Sequence, residues 1–279
     1  MDLVNEREIM ISALQRSGHH AFVDWLLKNC PRHLFLNCVT DERFMRPTFI
    51  AGKPEARFVN DLDLSVDREN AGDLTKKELL VYNMESFSVE DAEKVFRSEN
   101  KVARIGASKQ EFFVIWLRDP FNNLASLSRR GKNALIRENS ARRQERIEKL
   151  NASCELWANH FQAFKRAVNG TGQYVGICCN QWLADRSFRD QLAARFGISS
   201  EHEASEMVGW GNGSSFSHFY EGQAAPTPAE LETRWQQVKE IPVYRDLFQN
   251  AAFRAAVIEF REFYRSPELD QAYAELIDR

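Results

Sequence analysis

Residues 9–22 read IMISALQRSGHHAF. An apolar run breaks at Gln15-Arg16-Ser17-Gly18, and a helical apolar pattern begins just past His19 and His20. These residue types suit anion binding. Ser17 and Gly18 permit a tight turn whose backbone N–H groups can point at an anion, Arg16 adds a fixed positive charge, and the two imidazoles can donate to phosphate or sulfuryl oxygens. Cationic side chains near a helix N-terminus oppose the helix dipole by roughly 0.3–1 kcal/mol each, a conflict that a bound anion would remove. The alternative is a surface turn with a polar helix start. The GxxxxGK[ST] pattern is absent, which argues against an ordinary magnesium-dependent kinase.

A second stretch, FFVIWLRDPFNNLASLSRRG (112–131), reads as strand, turn and helix. The strand ends at Arg118, Asp119 can cap the helix, Pro120 suits its first position and Gly131 can close it. With Asp119 on the cap, an anion here would be held by side chains. Arg118 at the strand end and Ser126 two turns into the helix are suitable donors, since a guanidinium can bind phosphate through two parallel bonds.

Positioning these groups falls to repeated strand-helix units. Residues 7–14 read as a buried strand and 18–29 as a helix with Phe22, Trp25 and Leu26 inward. The runs HLFLNC (33–38), LLVYNM (79–84), FFVIWL (112–117) and YVGICC (174–179) extend the series. The fold class expected is α/β, a three-layer sandwich with a mostly parallel central sheet covered by helices on both faces. Residues 41–73 show no clean period and read as an insertion or connector. A long helix is expected over 137–168, a loop-rich stretch over 199–228 and a helical part over 229–279.

The chain has 279 residues, 43% of them hydrophobic, enough for one large core, so a single domain over 1–279 is expected. Lys plus Arg (37) nearly balances Asp plus Glu (40), which leaves no broad basic field for nucleic acid. The five cysteines have no disulfide or zinc spacing, and a reducing compartment is expected. No apolar run approaches the roughly 20 residues that span a bilayer, and a first strand near Arg7 leaves no room for a signal peptide. The reading is cytoplasmic and soluble, with oligomeric state unspecified.

The two stretches together resemble the sulfotransferases that use 3'-phosphoadenosine-5'-phosphosulfate (PAPS). In that family a basic-Ser-Gly loop after the first strand holds the 5'-phosphosulfate, and an Arg-x-Pro strand end with a serine eight residues after the arginine holds the 3'-phosphate. QRSGHH is similar to the first and RDPFNNLAS to the second. The resemblance implies a P-loop NTPase-like fold and PAPS as co-substrate, leaving adenosine 3',5'-bisphosphate (PAP) as product. It also implies a carbohydrate or small-molecule acceptor and no metal. Arg16, Ser17, Gly18, His19, His20, Arg118 and Ser126 would bind the nucleotide. The loop GWGNGSSF (209–216) is similar to segments that close over it, with Gly213, Ser214 and Ser215 as further contacts, or it is a connector. Arg16 stands where many members have lysine, the histidines where cytosolic members commonly have threonines, and the C-terminal Arg-Lys-Gly element of those enzymes is not visible. An adenine contact from Asn180 or Trp182 is a further expectation, set against Trp182 packing in the core.

Sulfuryl transfer needs cationic donors where charge builds on the leaving phosphate, a role for Arg16, and a base for the acceptor proton. Glu85, at the end of LLVYNM, is the first candidate for the base, with partial burial expected to raise its pKa. Its alternatives are a loop carboxylate or a cap for the helix SVEDAEKVF. Asp41 and Glu42 are lower choices, and His20 is a third that suits a phosphosulfate contact better. Two other classes stay open: a non-catalytic nucleotide-binding module and an atypical P-loop-like kinase.

Overall fold

The computed structural model describes residues 3–40, 49–50, 53–54, 76–129, 142–170, 172–202 and 228–278. The order is β1 (Leu3–Ala13), α1 (His19–Lys28), β2 (His33–Leu36), the two-residue strands β3 (Phe49–Ile50) and β4 (Lys53–Pro54), and β5 (Lys77–Glu85). Then come α2 (Val89–Phe96), α3 (Asn100–Ile105), β6 (Ala107–Leu117), α4 (Pro120–Ser128), α5 (Arg142–Asn169) and β7 (Tyr174–Cys178). The chain continues through α6 (Cys179–Ala184), α7 (Arg186–Phe196), α8 (Pro228–Glu232), a 3-10 turn (Arg234–Gln237), α9 (Pro242–Leu247), α10 (Ala251–Phe260) and α11 (Pro267–Leu276).

Five strands form one parallel sheet in the order β2-β5-β1-β6-β7, so the first strand is its centre. β3 and β4 pair with each other, antiparallel. The expected α/β sandwich is therefore present. Successive side chains of a strand face opposite ways, and both faces here are apolar because helices cover both. Ile9, Ile11, Val81, Val114 and Trp116 face α1, α6 and α7, packing with Phe22, Trp25, Trp182 and Phe196. Met10, Leu80, Tyr82, Phe113 and Ile115 face α2, α4, α5 and the C-terminal helices, packing with Phe121, Trp157, Phe161, Phe253 and Phe260. The central aromatic contact is Phe22 stacked on Trp116 at 5.0 Å, with Trp182 edge-on to both. Such pairs add about 0.5–1.5 kcal/mol each beyond burial.

The first strand begins at Leu3, earlier than the expected start near Arg7. The charges of its first half hide the pattern, and the structure gives them partners. Glu8 is fully buried and accepts from Lys101 Nζ at 2.8 Å, Tyr82 at 2.7 Å and Ser108 at 2.6 Å. A buried carboxylate is tolerable only when paired and hydrogen-bonded in this way. β6 likewise starts at Ala107, five residues before the apolar run, because its polar half pairs along β1 from Leu3 onward.

His160 of α5 is buried opposite the central strand, its Nε2 3.3 Å from Ser12 Oγ and its Nδ1 3.1 Å from the Leu156 carbonyl. Burial lowers its pKa to about 4, against an opposing pull from the Leu156 carbonyl and Glu90. The folded protein thus refuses a proton that the unfolded chain accepts below pH ~6.5, so stability falls as pH drops from ~6.5 toward ~4 and is unaffected above. The window is worth roughly 3 kcal/mol. Urea unfolding at pH 7 and pH 4.5 should show His160→Gln losing less stability on acidification than the wild type by about 2–3 kcal/mol. An identical pH slope in both would contradict the assignment.

Candidate functional site

The loop Leu14–Gly18 leaves the centre of the sheet at its carboxyl edge, where parallel α/β sheets bind ligands. Ser17 N–H donates back to the Leu14 carbonyl at 3.2 Å, which makes the turn. Arg16 (φ 65°) and Gly18 (φ 83°) are both left-handed. Neighbouring elements clamp the loop: Trp116 Nε1 donates to the Ser17 carbonyl at 3.0 Å, Asn123 Nδ2 to the Gln15 carbonyl at 3.0 Å, and Gln15 N–H to Ser86 Oγ at 3.2 Å. Helix α1 opens on Gly18 with no side-chain cap, so the amides of its first turn are not taken by one. Among the described residues, the non-glycine residues with positive φ are Arg16, Cys38 and Ser86, each just past the end of one of three adjacent strands. Conformations of this kind cost about 1–3 kcal/mol and cluster at functional sites.

Beside the loop, three expected residues meet. Glu85 Oε1 lies 3.1 Å from His19 Nε2 and 3.7 Å from His20 Nε2. His19 is buried, with Nδ1 3.4 Å from Ser17 Oγ and Nε2 3.0 Å from Asn83 Nδ2. His20 Nε2 is 3.4 Å from Asn37 Oδ1. Burial, with the nearby His19 and Arg16 charges, lowers the His20 pKa to about 4 against the opposing pull of Glu85 and Asn37. His20 is therefore a neutral imidazole at physiological pH. Glu85 does not cap the following helix; Ser88 does, accepting from Asp91 N–H at 3.0 Å. The group combines a carboxylate able to take a proton with imidazoles able to hold it in place, and His19, His20 and Glu85 are a set of side chains that could hold a metal ion.

Arg118 lies one strand away, just past the end of β6, and Ser126 lies on the helix α4 that follows. Neighbouring strands run about 4.8 Å apart. Asp119 caps α4 as expected, accepting from Asn122 N–H at 2.7 Å. Arg118 and Ser126 are both buried, and Arg118 Nη2 donates to the Leu231 carbonyl of α8 at 3.0 Å. Cys179 relates the first loop to Arg118: a methyl group built on Gly18 would lie 3.4 Å from its Sγ, and the charge of Arg118 acts on its thiol. Burial pushes that thiol up to about 12, with Arg118 and Arg234 opposing and Asp119 and Glu232 reinforcing. Buried Glu232 accepts from Asn180 Nδ2 at 3.0 Å, Tyr264 at 2.9 Å and Ser266, and its pKa is raised by burial against the Ser266 and Asn180 hydrogen bonds.

Trp182 packs in the core, the alternative set against an adenine contact. Trp182 is fully buried among Phe22, Trp25 and Trp116, and Asn180 is committed to Asp119 and Glu232. Asp41, Glu42, Gly213, Ser214 and Ser215 lie outside the described residues. Sequence reasoning passed over Asn83, Arg234 and Glu232. A polar residue inside the apolar run LLVYNM was a signal for the first; the other two carry none in sequence.

No family model matches the chain, and no curated protein does. Among solved structures it is similar to mouse sulfotransferase SULT7A1 complexed with PAP, at 12% identity and a TM-score of 0.42, over 97% of this chain and 83% of that one. No described helix is long and apolar enough to cross a membrane.

The left-handed backbone at Gly18 sets a test of the loop. A methyl group there meets Cys179 at ordinary contact distance, so Gly18→Ala should cost only the conformational penalty, about 1–2 kcal/mol by chemical denaturation. A loss above about 4 kcal/mol would show that the loop is packed differently.

Proposed function

We propose that this chain transfers a sulfuryl group from PAPS to a hydroxyl or amine of a carbohydrate or small-molecule acceptor. The observation that carries the reading is the shared sheet edge. The Arg16 loop with its imidazoles and carboxylate follows β1, Arg118 follows the neighbouring strand β6, and Cys179 lies close to Gly18 and feels the charge of Arg118. One nucleotide carrying phosphates at both ends of its ribose suits two separate anion clusters.

In this reading the first-turn amides of α1, Arg16 and His20 hold the phosphosulfate, and Arg118 and Ser126 hold the 3'-phosphate. Arg118 would exchange its bond to the Leu231 carbonyl for phosphate oxygens. The acceptor oxygen attacks sulfur, the bond from sulfur to the bridging oxygen breaks, and its electron pair stays on the departing phosphate of PAP. Arg16 stabilises that charge, as Mg²⁺ does in phosphoryl transfer. The acceptor proton passes to Glu85, oriented by His19 at 3.1 Å. Neutral His20 can donate one hydrogen bond without adding a second cation beside Arg16.

Two experiments test this. PAP without magnesium should raise the melting temperature and magnesium-ATP should not; the reverse pattern would favour a kinase. Radiolabelled transfer from PAPS to an acceptor library should fall about 10²–10⁴-fold in Glu85→Gln while PAP affinity holds. Full turnover in that variant would remove Glu85 from the base role, and PAP binding with no transfer to any acceptor would favour a non-catalytic nucleotide-binding module.

A further inference from the structure

We propose that His19, His20 and Glu85 form a binding site for a divalent transition metal of the zinc class, and that the metal-loaded protein is the switched-off form. One ligand atom from each residue lies within 4.8 Å of the other two. Glu85 Oε1 sits 3.1 and 3.7 Å from the two Nε2 atoms. Metal bonds of about 2.0–2.1 Å in a tetrahedron place neighbouring ligand atoms about 3.3 Å apart, so a small closure suffices.

The supports of the ligands are also of the right kind. His19 Nδ1 faces Ser17 Oγ at 3.4 Å, and with the proton on Nδ1 the Nε2 lone pair can turn from Asn83 Nδ2, 3.0 Å away, to a metal. His20 lies in the first turn of α1, where a metal would replace the contact of its Nε2 with Asn37 Oδ1, and Glu85 ends a buried strand. His19 is buried while His20 and Glu85 are 20% and 16% exposed, so the three protein ligands are reached from solvent on the side of His20 and Glu85. Two imidazoles and a carboxylate select zinc, cobalt or nickel over magnesium and calcium, which favour oxygen donors. Arg16 acts electrostatically on His20 and opposes the metal, so binding is weaker than at a closed four-ligand site. The metal would take the carboxylate oxygen that accepts the acceptor proton; this regulatory consequence rests on the sulfuryl-transfer reading, whereas binding itself does not.

Cobalt titration of the full chain, freed of metal by a chelator, should give visible absorption bands that saturate at one ion per chain. Glu85→Gln and His20→Gln, checked for folding by circular dichroism, should each weaken binding at least about tenfold. No saturable binding, or unchanged binding in both variants, overturns the site. X-ray absorption of the zinc-loaded wild type provides a measurement free of variants: two imidazoles in a nitrogen and oxygen shell are expected, and a sulfur scatterer at about 2.3 Å would assign the metal to cysteine instead. Zinc binding without PAP binding would refute the nucleotide reading and leave the metal site standing. Transfer activity unaffected by saturating zinc would refute the switch alone.

Discussion

The hydrogen bond from Trp116 Nε1 to the Ser17 carbonyl, 3.0 Å long, fixes the candidate site to the sheet. It joins the first loop to the strand that precedes Arg118, so the loop and Arg118 share one frame. The indole sits under Phe22 of α1 and against Trp182 of α6, which makes it part of the core as well as a clamp. A turn with left-handed Arg16 and Gly18 has little intrinsic preference for that shape. Its geometry is imposed from outside by Trp116, Asn123 and Ser86, and the strain is held by packing that the rest of the fold supplies.

Charge follows the same logic. Arg118 is buried beside Asp119, with Glu232 and Arg234 close enough to act on the same thiol. Buried cations of this kind are tolerable only with partners, and here a carbonyl and a carboxylate serve. On the other side, His19, His20 and Glu85 crowd three electron-pair donors together, and burial keeps His20 neutral. Such a group needs a positive centre at its focus. In the proposed reaction a proton in transit would meet that need, and a metal ion would meet it permanently.

Much of this was legible in the sequence because the parallel sheet is buried on both faces and its strands stand out as apolar runs. Asp119 at the cap and Pro120 at the first helical position follow from local chemistry and sit as the sequence implies, and Arg118 lies one residue past the strand end. Local chemistry fails where tertiary partners decide. Charged Glu6, Arg7 and Glu8 obscured the first half of β1, although Glu8 is buried through Lys101, Tyr82 and Ser108. Glu85 could have been a loop carboxylate or a helix cap; only the pairing of β5 with β1 brings it to the histidines. Arg234 and Glu232 approach the site from more than 100 residues downstream of Arg118, a distance that no local pattern spans.

The most direct test of a shared nucleotide site compares PAP with adenosine 5'-monophosphate by calorimetry, in the wild type and in Arg118→Ala. The account predicts that the substitution weakens PAP by about 1.5–3 kcal/mol, the value of a hydrogen bond to a charged group, and leaves the monophosphate nearly unchanged. Equal weakening of both nucleotides, or of neither, would mean that Arg118 does not meet the 3'-phosphate, and the two clusters would not belong to one ligand.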